Sequence, residues 1–295
     1  YLNGFPSKSY TTFICVMELL MKTPLKMYNK SVSEQFDRPR GHFYSADSLK
    51  LYRVVSVTDN RPYDRSRVFH TPYNLRSKVS TNRYSIAGYP SLYLGTSLEL
   101  CCEEIHRDPH RDLSLASLFE LERNRDYINT EVQVIELGVK PQDFLNAVRN
   151  DENYGRHISP SLLGQEEVRS AYLLWYPLIA ACSYIRTNKN DPFAAEYIIP
   201  QLLMQWVRSE IVTGNKEEYD QLIGIRYFSC ASIRASDMGF NYVFPTSGQM
   251  KSAEQPNCAV LAKAFRVSKP VYIHEYENVR SCEATLMRTR ELDFI

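Results

Sequence analysis

Two stretches, residues 82–105 (NRYSIAGYPSLYLGTSLELCCEEI) and 224–229 (GIRYFS), place four chemically able side chains beside apolar text. The candidates are Arg83, Tyr93, Glu104 and Ser229. Glu104 is the best defined of them. In a helix starting near Thr96, the residues Leu98, Cys101, Cys102 and Ile105 form an apolar stripe at i, i+3, i+4 and i+7 that must face the core. At about 100° per residue, Glu103 falls almost opposite the stripe and is expected in water. Glu104 falls on its flank, between core and solvent. A carboxylate at such an edge is restrained and partly desolvated, the condition in which carboxylates act in catalysis.

Taken singly, each residue has a plainer reading. Glu104 could be a surface carboxylate paired with Arg107 at i+3. Tyr93 in an apolar strand is most simply a core residue with one satisfied hydroxyl. Arg83 adjoins a turn-forming AGYP and would be solvated, and Ser229 at a strand end would be a turn or capping group. Their combination carries the functional signal.

The elements that must position these groups can be read coarsely. Residues 91–95 (SLYLG) read as a short buried strand, and Thr96 with Glu99 reads as a T-x-x-E capping box opening the helix. Further strands are expected at 51–57 (LYRVVSV), 130–137 (TEVQVIEL), 222–227 (LIGIRY), 239–244 (GFNYVF) and 269–274. Helices are expected near 11–21, 166–184 and 194–211, with Pro177 and Pro200 kinking or restarting the last two. Strands and helices mix without regular βαβ alternation, so the expected fold class is α+β, a mixed β-sheet core flanked by helices. Residues 1–48 are expected to be an N-terminal helical extension, with a polar linker around 30–41. The chain opens on Tyr1 rather than methionine, so residues before it are expected.

Bulk properties exclude more than they propose. The chain has 295 residues, 44% hydrophobic and 23% charged, enough to bury a sizeable core. A formal charge of +1 argues against nucleic acid or membrane as partner, and acids interrupt local basic clusters such as 61–67 (RPYDRSR). Seven cysteines without a CxxC pair argue against a disulfide framework or a zinc site, so a reducing, cytoplasmic setting is expected. His106 and His110 have helical spacing, but Pro109 between them should break the helix, and no metal is expected. No run of 18 apolar residues occurs.

As a set, RYSIAGYPSLYLGTSLELCCEE, then GIRYFS, then a strand with Gly239 and Asn241, resembles the RES-domain family, named for its Arg, Glu and Ser. The resemblance runs from about Leu51 (LYRV) to Phe244 (NYVF), some two thirds of the chain, and includes EYIIPQLLMQW, similar to the family's helix before the serine strand. It implies an ADP-ribosyltransferase-like fold, a RES domain over 49–247 and a C-terminal extension over 248–295 packing on it. The family arginine falls on Arg83, its strand tyrosine on Tyr93, its glutamate on Glu104 and its serine on Ser229, with Arg53 as a further arginine. This chain departs by carrying TNRY where many members have GGRW or GGRF, and both extensions lie outside the compact toxin pattern.

The family includes bacterial toxins that consume NAD, so the resemblance implies cleavage of the nicotinamide N-glycosidic bond of NAD, by hydrolysis or phosphorolysis. Within it Glu104 would face the ribose, Arg83 with Arg53 would hold the pyrophosphate, and Tyr93 and Ser229 would fix the nicotinamide or ribose. NAD is then substrate, with no prosthetic group. A cognate antitoxin covering the cleft is implied, and a homo-oligomer is left open. Two alternatives stand beside this reading: an ADP-ribosyltransferase modifying a protein, and a non-catalytic binding protein with a vestigial site.

Overall fold

The computed structural model describes residues 1–23, 25, 50–57, 63–106, 108, 111–121, 132–149, 166–188, 191, 193–213, 222–246 and 256–295. The expected linker at 30–41, together with Arg61, Arg107 and His110, lies outside them.

The strands are β1 (Lys50–Ser56), β2 (Ser91–Gly95), β3 (Ser114–Leu121), β4 (Val132–Leu137), β5 (Leu222–Phe228), β6 (Phe240–Pro245), β7 (Phe265–Ser268), β8 (Val271–Tyr272) and β9 (Leu292–Asp293). They form a nine-stranded sheet in the order β4-β5-β6-β2-β1-β3-β7-β9, with β8 also on β3. The β4–β5 pair is parallel and the other pairs are antiparallel, which makes the sheet mixed. A parallel pair needs a long crossover. Here the chain between β4 and β5 carries α3 (Pro141–Val148), α4 (Glu166–Ser183) and α5 (Ile198–Thr213). The remaining helices are α1 (Pro6–Met21), α2 (Leu98–Glu104), α6 (Ala259–Ala264) and α7 (Val279–Arg288). The fold is α+β with a mixed-sheet core.

Strand alternation sends residues to two faces. On one, Ile135, Ile225 and Val243 pack under Trp175 and Ile179 of α4, Leu203 and Val207 of α5, and Phe13 and Met17 of α1. On the other, Leu92, Leu94 and Phe244 pack against Phe69, Tyr73, Leu261 and Phe265. A third cluster joins Leu98, Cys101 and Cys102 of α2 to Tyr52, Leu118 and Cys282 of α7. Trp175 fastens α4 to the end of α1 by donating from Nε1 to the Thr23 carbonyl at 2.8 Å. Among the described residues no helix is long and apolar enough to cross a membrane.

Several local expectations change. The α2 cap is Ser97, whose hydroxyl accepts from the Leu100 amide at 3.2 Å. Thr96 cannot serve there, because its hydroxyl accepts from the Phe240 amide at 2.9 Å and ties α2 to β6. Glu103 is half-buried rather than solvated, since α7 packs on this helix and its Glu283 carboxylate accepts from the Leu98 amide at 2.8 Å. Pro177 sits inside an unbroken α4. The i−4 carbonyl it leaves without a helical donor belongs to exposed Leu173, where water can serve. Pro200 falls in the first turn of α5, where a missing amide costs little. The expected strand at 269–274 shortens to Val271–Tyr272 before a 3₁₀ turn.

Candidate functional site

A cleft of about 490 Å³ opens where β1, β2, α2 and β6 meet the segment joining α4 to α5. Gly95 makes the first corner. A Cβ there would stand 2.7 Å from Cys101 Sγ, so any larger residue would have to push Cys101 aside where β2 ends against α2. Cys101 then donates from Sγ to the Tyr52 carbonyl at 3.3 Å, seating α2 on β1. Gly239 makes the second corner, with φ +142° and no room for a Cβ beside Thr96 Oγ1. These contacts fix the helix, and Glu104 is delivered one turn after Cys101.

Glu104 is half-buried, and its Oε1 accepts from the side-chain amide of Asn241. Asn241 lies on β6 opposite Gly95 on one side and Tyr227 on the other. A neutral amide orients the carboxylate without neutralising it.

Arg53 enters from β1. The β1–β2 ladder holds at Tyr52↔Gly95, and Arg53 Nη1 donates to the Tyr93 carbonyl at 2.9 Å. Burial lowers its pKa to about 10, which leaves it cationic at neutral pH. Its Nε is buried without a partner. Tyr93 shares a hydrogen bond of 2.8 Å with the Ser85 hydroxyl. Burial pushes its phenol, and that of neighbouring Tyr227, above the ordinary range, so both stay protonated donors.

Arg83 occupies another wall. Its Nη1 donates to the Cys182 carbonyl at 3.0 Å, and its guanidinium carbon lies 5.2 Å from the centre of the Tyr197 ring. Burial alone would lower its pKa, but the Cys230 thiol and the phenols of Tyr84, Tyr197 and Tyr227 raise it overall. Cys230 feels Arg83 and Glu104 with opposite sign, while burial holds its thiol protonated. Cys230 and Tyr227 thus lie within electrostatic reach of both the Glu104 carboxylate and the Arg83 guanidinium.

The cleft therefore brings Arg53, Arg83, Tyr93 and Glu104 to one space, although they come from β1, a loop, β2 and α2. Ser229 is placed differently. It is 1% exposed, its hydroxyl accepts from the Ala231 amide at 3.1 Å, and its neighbours Tyr227, Cys230 and Ala231 line the cleft instead. Sequence reasoning passed over Asn241 as a site residue, although a lone amide in the apolar strand FNYVF was a readable signal. Tyr197 and Arg186, also in the lining, carried no such signal. Among the described residues no group of three or more His, Cys, Asp or Glu is placed to hold a metal.

The molecule is thus an α+β protein whose polar cleft holds the Glu104 carboxylate and the guanidiniums of Arg53, Arg83 and Arg186, and among the described residues no ion pair joins them. Over 293 residues it is 25% identical to a Bacillus subtilis (strain 168) protein named "Putative toxin YopC". The match covers 97% of this chain and 58% of YopC, so the chain spans little more than half of that relative's length. No protein-family model matches the chain, and no solved structure matches it.

Proposed function

We propose that this protein is a toxin-like enzyme of RES-domain type that cleaves the nicotinamide N-glycosidic bond of NAD. The observation that carries the reading is the meeting of Glu104, oriented by Asn241, with Arg53, Arg83 and Tyr93 in one cleft. The resemblance to the RES-domain family supports the NAD chemistry, and the name of the relative YopC supports its toxin-like character alone.

Breaking this bond develops positive charge on the ribose, in an oxocarbenium-like state. A fixed carboxylate stabilises that state more than the ground state, and so lowers the barrier. Glu104 has that role. Guanidiniums recognise diphosphate oxygens through paired, charge-assisted hydrogen bonds, which assigns Arg83 and Arg53 to the linking diphosphate. The protonated Tyr93 phenol donates to the ribose or carboxamide. Ser229, with its hydroxyl on the Ala231 amide, shapes the loop that carries Cys230. With water as acceptor the C–N bond electrons leave with nicotinamide, ADP-ribose forms, and one proton is released.

Chromatography of NAD incubated with wild type and with Glu104→Gln tests this reading. Nicotinamide is expected to appear with wild type and to fall by ~10²-fold or more in the variant. ADP-ribose identifies water as acceptor, ADP-ribose 1-phosphate identifies phosphate, and labelled protein identifies a side chain. Undiminished NAD with folded wild type overturns the proposal.

A further inference from the structure

The lining of the cleft also includes Arg186 and Tyr197, to which the proposed chemistry gives no part. Arg186, on the segment after α4, places its guanidinium carbon 5.6 Å from the centre of the Tyr197 ring. Arg83 lies 5.2 Å from the centre of the same ring. Two like charges are thus collected on one aromatic side chain at the lining of one cleft. Among the described residues neither forms an ion pair with a carboxylate: Arg83 donates to the Cys182 carbonyl, and Arg186 Nη2 to the Asp191 carbonyl. Arg186 Nε is buried without a hydrogen-bond partner.

The segment carrying Arg186 is held in place. Glu196 Oε1 accepts from both the amide and the hydroxyl of Thr187, at 3.1 and 3.2 Å. Backbone amides, the Thr187 hydroxyl and the Arg186 charge together lower the Glu196 pKa, so this carboxylate lies near Arg186 while its Oε1 is taken by Thr187. The Tyr197 ring orients both guanidinium planes by cation–π contact while leaving N–H groups free to bond elsewhere. Two guanidiniums on one ring with the single nearby carboxylate of Glu196 keep a net positive charge, and the arrangement is completed by a ligand carrying two adjacent negative charges.

We propose that Arg186 and Arg83, arrayed on Tyr197, form a two-guanidinium clamp for a diphosphate, and that Arg186 sets the preference for diphosphate-bridged substrates over phosphate-free ones. This deepens the NAD reading and rests on it for the substrate, but the clamp itself makes a claim about anion binding. Arg186 is here a positioning and specificity residue, remote from the bond that breaks.

The test uses calorimetric binding of inorganic pyrophosphate and of ADP-ribose to wild type, Arg186→Ala and Arg186→Lys. Turnover of NAD and of phosphate-free nicotinamide riboside is measured alongside. Pyrophosphate and ADP-ribose are expected to bind wild type and to lose about tenfold or more in Arg186→Ala. Arg186→Lys should recover part of that loss, because a point charge replaces a planar fork. KM for NAD should rise by a similar factor with kcat within about twofold, and nicotinamide riboside turnover should stay unchanged. Equal pyrophosphate affinity in wild type and Arg186→Ala overturns the clamp, as does an equal KM rise for nicotinamide riboside. Pyrophosphate binding lost in Arg186→Ala, with no NAD turnover by wild type, sinks the NAD reading and leaves the clamp standing. Unchanged melting temperature and circular dichroism establish that both variants fold.

Discussion

Two places in one sheet hold a carboxylate near guanidinium groups, and they treat the charges in opposite ways. On the face away from the cleft, Glu136 of β4 and Arg226 of β5 stand opposite each other in the parallel register. They close to 2.8 Å with both side chains almost wholly buried. The Arg226 guanidinium lies 3.7 Å from the centre of the Phe240 ring, and Glu136 also accepts from the Gly138 amide at 2.6 Å. Burial raises the Glu136 pKa, and the Arg226 charge opposes that rise. In the cleft, Glu104 meets a neutral amide instead, while Arg53 and Arg83 bond to carbonyl oxygens. A structural ion pair consumes its charges internally. A site keeps them oriented and uncancelled, so that a ligand can complete them.

The contrast can be broken from the sealed side first. Arg226→Met should lower stability by about 3–5 kcal/mol, because Glu136 is left as an uncompensated buried charge. Adding Glu136→Leu should recover most of that loss in denaturant unfolding. From the cleft side, Glu104→Gln should leave the melting temperature within a few degrees and cut NAD cleavage ~10²–10³-fold. If Glu104→Gln unfolds the protein while Arg226→Met spares it, the assignment of the two regions is reversed.

His70 shows a third way to bury a titratable group, which is to keep it neutral. Its Nδ1 donates to the Thr71 carbonyl at 2.8 Å, and its Nε2 accepts from the Cys258 amide at 2.8 Å. Burial lowers its pKa to about 4. The unfolded chain takes up that proton near pH 6.5, ahead of the folded one, so stability is full above about pH 6.5. It should then fall by about 3 kcal/mol as pH drops toward 4. Equilibrium unfolding across that window should show the slope, and His70→Gln should flatten it. The smallest effect is expected at Asn241→Ala, about tenfold in kcat with little change in KM, because Glu104 keeps its place but loses its orienting donor. A loss as large as that of Glu104→Gln would mean that Asn241 touches the substrate itself.

What could be read in the sequence followed the range of each signal. The strand, turn and helix of residues 91–104 were legible because alternation, a glycine and an apolar stripe all act within a few residues. The cap was misread because Thr96 is drawn away by the Phe240 amide, 144 positions along the chain. Glu104 stood out through helical phase, whereas its partner Asn241 depends on the register of β6 against β2 and β5. Arg186 is more remote still. It reaches Tyr197 only through the path of the segment between α4 and α5, and no periodicity encodes that path. Ser229 was legible as a residue at a strand end, but where its hydroxyl goes depends on a turn closed by Ala231.

Strand β5 has a consequence that reaches beyond its own residues. Arg226 points to the sealed pair and its neighbour Tyr227 to the cleft, just as Tyr242 and Asn241 divide β6 between the two faces. A slip of one residue in this ladder would exchange them. A guanidinium would enter the cleft, and a phenol would face Glu136. Misalignment would therefore cost the interior its counter-charge and the cleft its shape in one stroke. The cleft is thus locked to correct assembly, and a copy of the chain that has paired its strands wrongly lacks it.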